Sequence, residues 1–110
     1  MPDPVIAVVI PVFNEEAVLP ELLRRLSAVF DGDKSRVWRA VLVDDGSRDR
    51  TAELVRAQAG RDARFELVEL SRNFGFQSAL SAGLARARGG EAVVTMDADL
   101  QDPPEVIPEL

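Results

Sequence analysis

Val5-Ile6-Ala7-Val8-Val9-Ile10, followed at once by Pro11-Val12-Phe13-Asn14-Glu15-Glu16, sets the architecture of the chain. An apolar run without polar alternation describes a strand buried on both faces, as in a parallel sheet covered by helices. Pro11, which has no N–H for a sheet bond, is expected to end it. Downstream, Val18, Leu19, Leu22, Leu23, Leu26, Val29 and Phe30 recur at helical spacing. They predict a helix with Pro20 near its start and Asp31-Gly32-Asp33 at its end. Residues 40–43 then read as a short buried strand, followed by a helix capped by Asp49 with Ala52, Val55 and Ala59 on its inner face. Residues 65–70 read as a third strand with Phe65, Leu67 and Val68 turned inward. Ala79, Leu80, Ala82, Gly83, Leu84 and Ala87 then form a small-residue helical face suited to close packing, closed by Gly89-Gly90. Residues 92–96 make a fourth strand, and Asp102-Pro103-Pro104-Glu105 reads as the cap and first turn of a last helix. Such alternation predicts an α/β fold, a Rossmann-like open parallel sheet with right-handed crossovers and helices on both faces.

A chain of 110 residues has room for one domain, residues 1–110, and 46% hydrophobic with 29% charged residues is the balance of a soluble globular protein. It contains neither cysteine nor histidine, so disulfides, thiolate zinc sites and imidazole bases are excluded. Its chemistry must use carboxylates, amides and hydroxyls. A formal charge of −6 argues against nucleic acid as a partner. No apolar run approaches the roughly 18 to 20 residues that span a bilayer, and Met1-Pro2-Asp3-Pro4 lacks the order of a signal peptide. The expected location is cytoplasmic, with the inner face of the cytoplasmic membrane open as a workplace through parts outside this sequence.

In open α/β sheets, ligands bind beyond the carboxyl ends of the strands. Each expected strand is followed there by polar chemistry: Asn14-Glu15-Glu16, Asp44-Asp45-Gly46-Ser47, Arg72-Asn73 and Asp97-Ala98-Asp99. Singly, Asn14, Ser47 and Asp49 are ordinary caps and turn residues. As a set, the acids point to a cation, because carboxylates about 4 Å apart repel by roughly 4 kcal/mol at an effective dielectric near 20. Asp97 and Asp99, two apart, would leave an extended backbone on the same side. Oxygen donors alone select Mg2+ or Mn2+, and such an ion can neutralise a diphosphate leaving group. A dinucleotide fold would need Gly-x-Gly-x-x-Gly after its first strand and a P-loop would need Gly-Lys-Ser or Gly-Lys-Thr, and neither is present. A phospho-acceptor signalling domain also gathers strand-end aspartates, but its acid pair should follow the first strand, and here the pair follows the second.

Taken in order, these motifs resemble glycosyltransferase family 2, inverting enzymes with a GT-A fold. The likeness covers essentially the whole chain: Pro11 to Glu16, then Val43-Asp44-Asp45-Gly46-Ser47 with Asp49 and Thr51, then Asn73-Phe74-Gly75 with Ala79 and Gly83, then Asp97-Ala98-Asp99-Leu100-Gln101-Asp102-Pro103-Pro104-Glu105. The last stretch is most similar to the subgroup that moves a sugar from a nucleotide to a polyprenyl phosphate, such as dolichyl-phosphate mannose synthase. The resemblance implies that Pro11, Phe13 and Glu15 line a nucleotide pocket, that Val43 and Asp45 hold the base, and that Asp97 and Ala98 lie along the ribose and diphosphate. It further implies Asp99 as principal metal ligand with Gln101 as a second, and Asp97 and Asp99 as the catalytic pair. The partners implied are a nucleoside-diphosphate sugar and a lipid-phosphate acceptor.

Family catalytic domains run to roughly twice this length, so the chain corresponds to the donor-binding half and the acceptor half is missing. A non-catalytic nucleotide-sugar-binding fragment is therefore the alternative. Gln77 also departs from the lysine of many relatives. An uncovered sheet edge after the fourth strand would favour self-association, as a homo-oligomer.

Overall fold

The β-branched runs lie side by side in the computed structural model, which describes residues 4–86, 92–99 and 103–109. Strands β1 (Val5–Val12), β2 (Val37–Asp44), β3 (Phe65–Glu69) and β4 (Ala92–Thr95) form one parallel sheet in the order β3-β2-β1-β4. Helices α1 (Leu19–Gly32), α2 (Thr51–Arg61) and α3 (Phe76–Leu84) connect them, and a 3-10 helix spans Pro104–Glu109. The chain leaves β1 to form β2 and β3 on one side and returns to form β4 on the other. The strand order therefore reverses between β1 and β4, where α/β sheets open a ligand crevice.

Alternate side chains of each strand serve opposite faces. Val8, Ile10 and Val12 of β1 and Ala40 and Leu42 of β2 pack against Leu19, Leu22, Leu26 and Phe30 of α1 and Val55 of α2. Phe30 closes the far end, stacked on Trp38 with ring centroids 5.2 Å apart and tilted against Phe65 at 5.6 Å. On the opposite face Val9, Val41 and Val43 meet Ala79 of α3. Each fully buried aliphatic side chain contributes about 1.5 to 3 kcal/mol relative to exposure. Gly83 lets α3 approach the sheet, since a Cβ there would lie 2.3 Å from Val9 Cγ1 and 2.9 Å from Val43 Cγ2.

Several boundaries differ from the sequence expectation for physical reasons. Pro11 does not end β1; it pairs with Val43 inside the strand. Met96 N–H donates to Val9 O, so the odd residues of β1 face β4, and Pro11 faces that side just beyond the last β4 pair, Val9 with Thr95. Its missing N–H therefore costs the ladder nothing. Strand β2 starts earlier than expected because buried Arg39 is satisfied, donating to Glu66 Oε1 at 2.9 Å and to the Arg86 carbonyl at 2.9 Å. Phe65 and Leu67 face the α1 and α2 core, whereas Val68 packs on the α3 side.

Leu84, expected on the packed face of α3, is 42% exposed. The last helix is 3-10 in type and carries Pro108 inside it. Helix α2 begins at Thr51 with Arg50 in the cap position, so Asp49 stands one residue outside the expected cap. Ala87, Gly89-Gly90, Gln101 and Asp102 lie outside the described residues.

Candidate functional site

The carboxyl ends of β1, β2 and β4 and the loop after β3 enclose a cleft of about 310 Å³ at the point of strand reversal. Pro11, Phe13 and Glu15 come from the end of β1, Asp45 from β2, Asn73, Gly75 and Phe76 from the approach to α3, and Asp97, Ala98 and Asp99 from β4. All four polar segments thus reach one edge of the sheet. Phe13 is 41% and Phe76 52% exposed, which leaves two aromatic faces at the cleft. Ala98 is buried in the core below Asp97 and Asp99, both exposed. Val43 has no exposed surface and packs under α3, so its side chain supports the cleft floor and does not line it. Gln77 is exposed on α3.

The acidic residues do not converge as a single group. Asp44 and Asp45 are both buried, and each serves backbone groups. Asp44 Oδ1 accepts the Ser47 N–H at 3.3 Å, while Asp45 accepts the Phe74 N–H at 2.8 Å and the Gly75 N–H at 3.0 Å through its two oxygens. Among the described residues no group of three or more acids is placed to hold a metal ion. The two carboxylates are turned to different loops, Asp44 to Ser47 and Asp45 to Phe74 and Gly75.

Two glycines allow this loop packing. Gly46 adopts φ +76°, and a Cβ there would come within 2.4 Å of Arg72 C and Asn73 N. Gly75, at φ +101°, stands immediately before α3. The Arg72 guanidinium covers the Phe74 ring at 4.6 Å.

The loop after β1 is tied to the start of α2. Asn14, at φ 51°, donates its N–H to Ser47 Oγ at 2.8 Å and accepts the Arg48 N–H on its side-chain oxygen at 2.9 Å. Glu15 N–H donates to Thr51 Oγ1 at 2.8 Å and Glu16 N–H to Asp49 Oδ2 at 3.2 Å. Sequence patterns identified these residues as caps or motif members, but local chemistry carries no sign of partners 33 to 36 residues away.

Electrostatically the cleft is acidic at its β4 side. Burial pushes the Glu15 carboxyl up from its ordinary range, and repulsion from Asp99 and then Asp49 adds to it. Burial opposes ionisation of Asp49 as well, but hydrogen bonds from the Thr51 hydroxyl, the Thr51 N–H and the Glu16 N–H hold its carboxyl below the usual range. Glu15, Asp97 and Asp99 bring only oxygen donors to the cleft lining, without forming a three-acid cluster placed to hold a metal among the described residues.

Residues 7–110 match the profile of the family described as Glycosyl transferase family 2. The undecaprenyl-phosphate 4-deoxy-4-formamido-L-arabinose transferase of Pseudomonas aeruginosa (strain LESB58) is 54% identical over 110 residues, covering 99% of this chain and 32% of that protein. An uncharacterized glycosyltransferase of Bacillus subtilis (strain 168) is 45% identical over 104 residues, 94% of this chain and 32% of its own length. The chain thus spans about a third of the length of these relatives. Among solved structures, a mannosyltransferase from Pyrobaculum calidifontis in complex with GDP-Man and Mn2+ superposes with a TM-score of 0.73 at 32% identity, over 90% of this chain and 28% of that one. The Staphylococcus aureus TarS 1-349 complex with UDP-GlcNAc gives 0.71 at 29% identity, over 86% and 26%. A Rossmann-like sheet with its cleft at the strand reversal is therefore the nucleotide-binding half of a GT-A fold, and the chain belongs to glycosyltransferase family 2.

Proposed function

We propose that residues 1–110 are the donor-binding part of an inverting, metal-dependent glycosyltransferase that moves a sugar from a nucleoside-diphosphate sugar to a polyprenyl phosphate. The observation that carries this reading is the cleft at the β1/β4 reversal, lined by the aromatic rings of Phe13 and Phe76 together with the carboxylates of Glu15, Asp45, Asp97 and Asp99. The loop after β1 spends the N–H groups of Asn14, Glu15 and Glu16 on Ser47, Thr51 and Asp49. It does not present these amides to a diphosphate, as the glycine-rich loops of dinucleotide folds do, so countercharge must come from elsewhere. The presence of both GDP-Man and Mn2+ in one related structure and undecaprenyl-phosphate transferases among the sequence relatives support that direction.

Asp99, with Gln101 as second ligand, would hold Mg2+ or Mn2+. When bound, the ion neutralises the diphosphate and stabilises it as a leaving group. Pro11 and Phe13 would provide the apolar wall for base and ribose, with Val43 supporting it from below. Asp45, oriented by the Phe74 and Gly75 N–H groups, has lone pairs left to accept a base N–H. Asp97 and Ala98 would flank the ribose and diphosphate, and Glu15 would close the pocket. An acceptor phosphate is already anionic, so displacement at the anomeric carbon needs positioning more than base catalysis.

No helix among the described residues is long and apolar enough to cross a membrane. The workplace we infer is the cytoplasmic face of a membrane, where a lipid phosphate would be met. The share of the relatives' length covered here also favours a second reading, a nucleotide-sugar-binding part without transfer activity of its own. Transfer of labelled sugar to undecaprenyl phosphate by this polypeptide alone excludes the second reading. Metal-dependent binding of UDP or GDP without transfer supports it.

A further inference from the structure

We propose that Thr51 and Asp49 are positioning residues of the donor site, which together with Ser47 clamp the peptide groups of Asn14, Glu15 and Glu16 and so fix Phe13 and Glu15 on the cleft wall. The inference rests on the donor-site reading above. Three consecutive N–H groups each find a different side chain from one short segment: Ser47 Oγ at 2.8 Å, Thr51 Oγ1 at 2.8 Å and Asp49 Oδ2 at 3.2 Å. Thr51 is the centre of the clamp. It is fully buried, and its hydroxyl accepts the Glu15 N–H while donating to Asp49 Oδ1.

Helix capping alone does not explain this arrangement. Asp49 Oδ1 accepts the Thr51 N–H at 2.9 Å, which would suffice at the start of α2, yet Oδ2 is directed to Glu16, 33 residues earlier. Asn14 and Glu16 are exposed, so water could serve their N–H groups without any protein partner. The left-handed turn at Asn14, φ 51°, allows its side-chain oxygen to return a bond to Arg48 N–H and close the clamp from both sides. A wall ordered before the ligand arrives spares binding the ordering cost, and freeing one or two residues of it should weaken a nucleotide by roughly tenfold or more.

The test compares wild type with Thr51→Val, which keeps the shape and loses the hydroxyl, and with Thr51→Ser, which keeps the hydroxyl. Calorimetry measures Mn2+-dependent UDP and GDP affinity, and amide hydrogen exchange reports Glu15 and Glu16 against Val8 and Ile10 within β1. The expected result for Thr51→Val is an affinity loss of about tenfold, with faster exchange at Glu15 and Glu16 and unchanged exchange at Val8 and Ile10. Thr51→Ser should restore both. A folded Thr51→Val with wild-type affinity overturns the proposal. If Thr51→Val does not fold, the partly exposed Asp49→Asn carries the test through the Glu16 amide and the same affinities. Wild-type silence toward both nucleotides overturns the donor-site reading instead, and slow or fast exchange at Glu15 and Glu16 then upholds or removes the clamp.

Discussion

Gly46→Ala strikes the point where two loops of the cleft touch. At φ +76° an L-residue costs about 1 to 2 kcal/mol relative to glycine. The new Cβ would lie 2.4 Å from Arg72 C and Asn73 N and 2.9 Å from Arg72 Cα, all backbone atoms that no rotamer change can move aside. Overpacking of this kind adds about 1 to 3 kcal/mol, so the total is about 3 kcal/mol out of the roughly 5 to 15 kcal/mol that stabilises a domain. Shifting Arg72 and Asn73 also draws the Phe74 and Gly75 N–H groups away from Asp45. Urea unfolding followed by fluorescence of Trp38, the single tryptophan, reads the loss directly. With a slope of about 2 kcal/mol per M, the midpoint should fall by about 1.5 M. A midpoint unchanged within about 0.2 M, on the same slope scale, would refute the close approach of these loops.

Gly83→Ala should also destabilise: overlap with Val9 Cγ1 and Val43 Cγ2 at about 1 to 3 kcal/mol outweighs the roughly 1 kcal/mol gained in helix propensity. A raised Tm would contradict the packing of α3 on the sheet. At Glu66, burial opposes ionisation, but hydrogen bonds from Arg86 and Arg39 outweigh it and lower the carboxyl below its ordinary value of 4.5. The unfolded chain therefore takes up that proton first as pH falls, so the stabilisation is present above 4.5 and is lost as pH drops through the lowered folded value. The stability difference between wild type and Glu66→Gln should accordingly shrink as urea midpoints are taken from neutral pH to below 4.5, and a difference constant with pH would count against the pairing. Finally, β4 is an outer strand of the sheet with Ala92, Val93 and Thr95 exposed among the described residues, so concentration-dependent self-association is expected. A monodisperse monomer by sedimentation contradicts it.

Much of this architecture is legible in apolar pattern alone, because strands buried on both faces leave continuous β-branched runs and amphipathic helices leave spaced ones. The position of the cleft followed from the polar residues after each strand. What stayed hidden depended on neighbours distant in sequence. Pro11 could remain in β1 only because β4 ends before reaching it, and Arg39 could enter β2 only because Glu66 and the Arg86 carbonyl receive it. The acids of the strand-end motifs, taken together, pointed to a cation, yet Asp44 and Asp45 hold loops by their carboxylates, and Asp45 lines the cleft while doing so. Ser47, Asp49 and Thr51 showed their capping chemistry but not the loop they grip. Leu84 fitted the helical spacing of α3, but the stripe that meets the sheet runs through Ala79 and Gly83, and Leu84 lies about 100° round the helix from Gly83.

Calorimetric titration of this chain with UDP and GDP, with and without Mn2+, reads the donor site itself. At least one nucleotide should bind, binding should require the metal, and Asp99→Ala should lose that metal-dependent affinity. Binding of neither nucleotide in the presence of Mn2+, or undiminished affinity in Asp99→Ala, would contradict the donor-site reading.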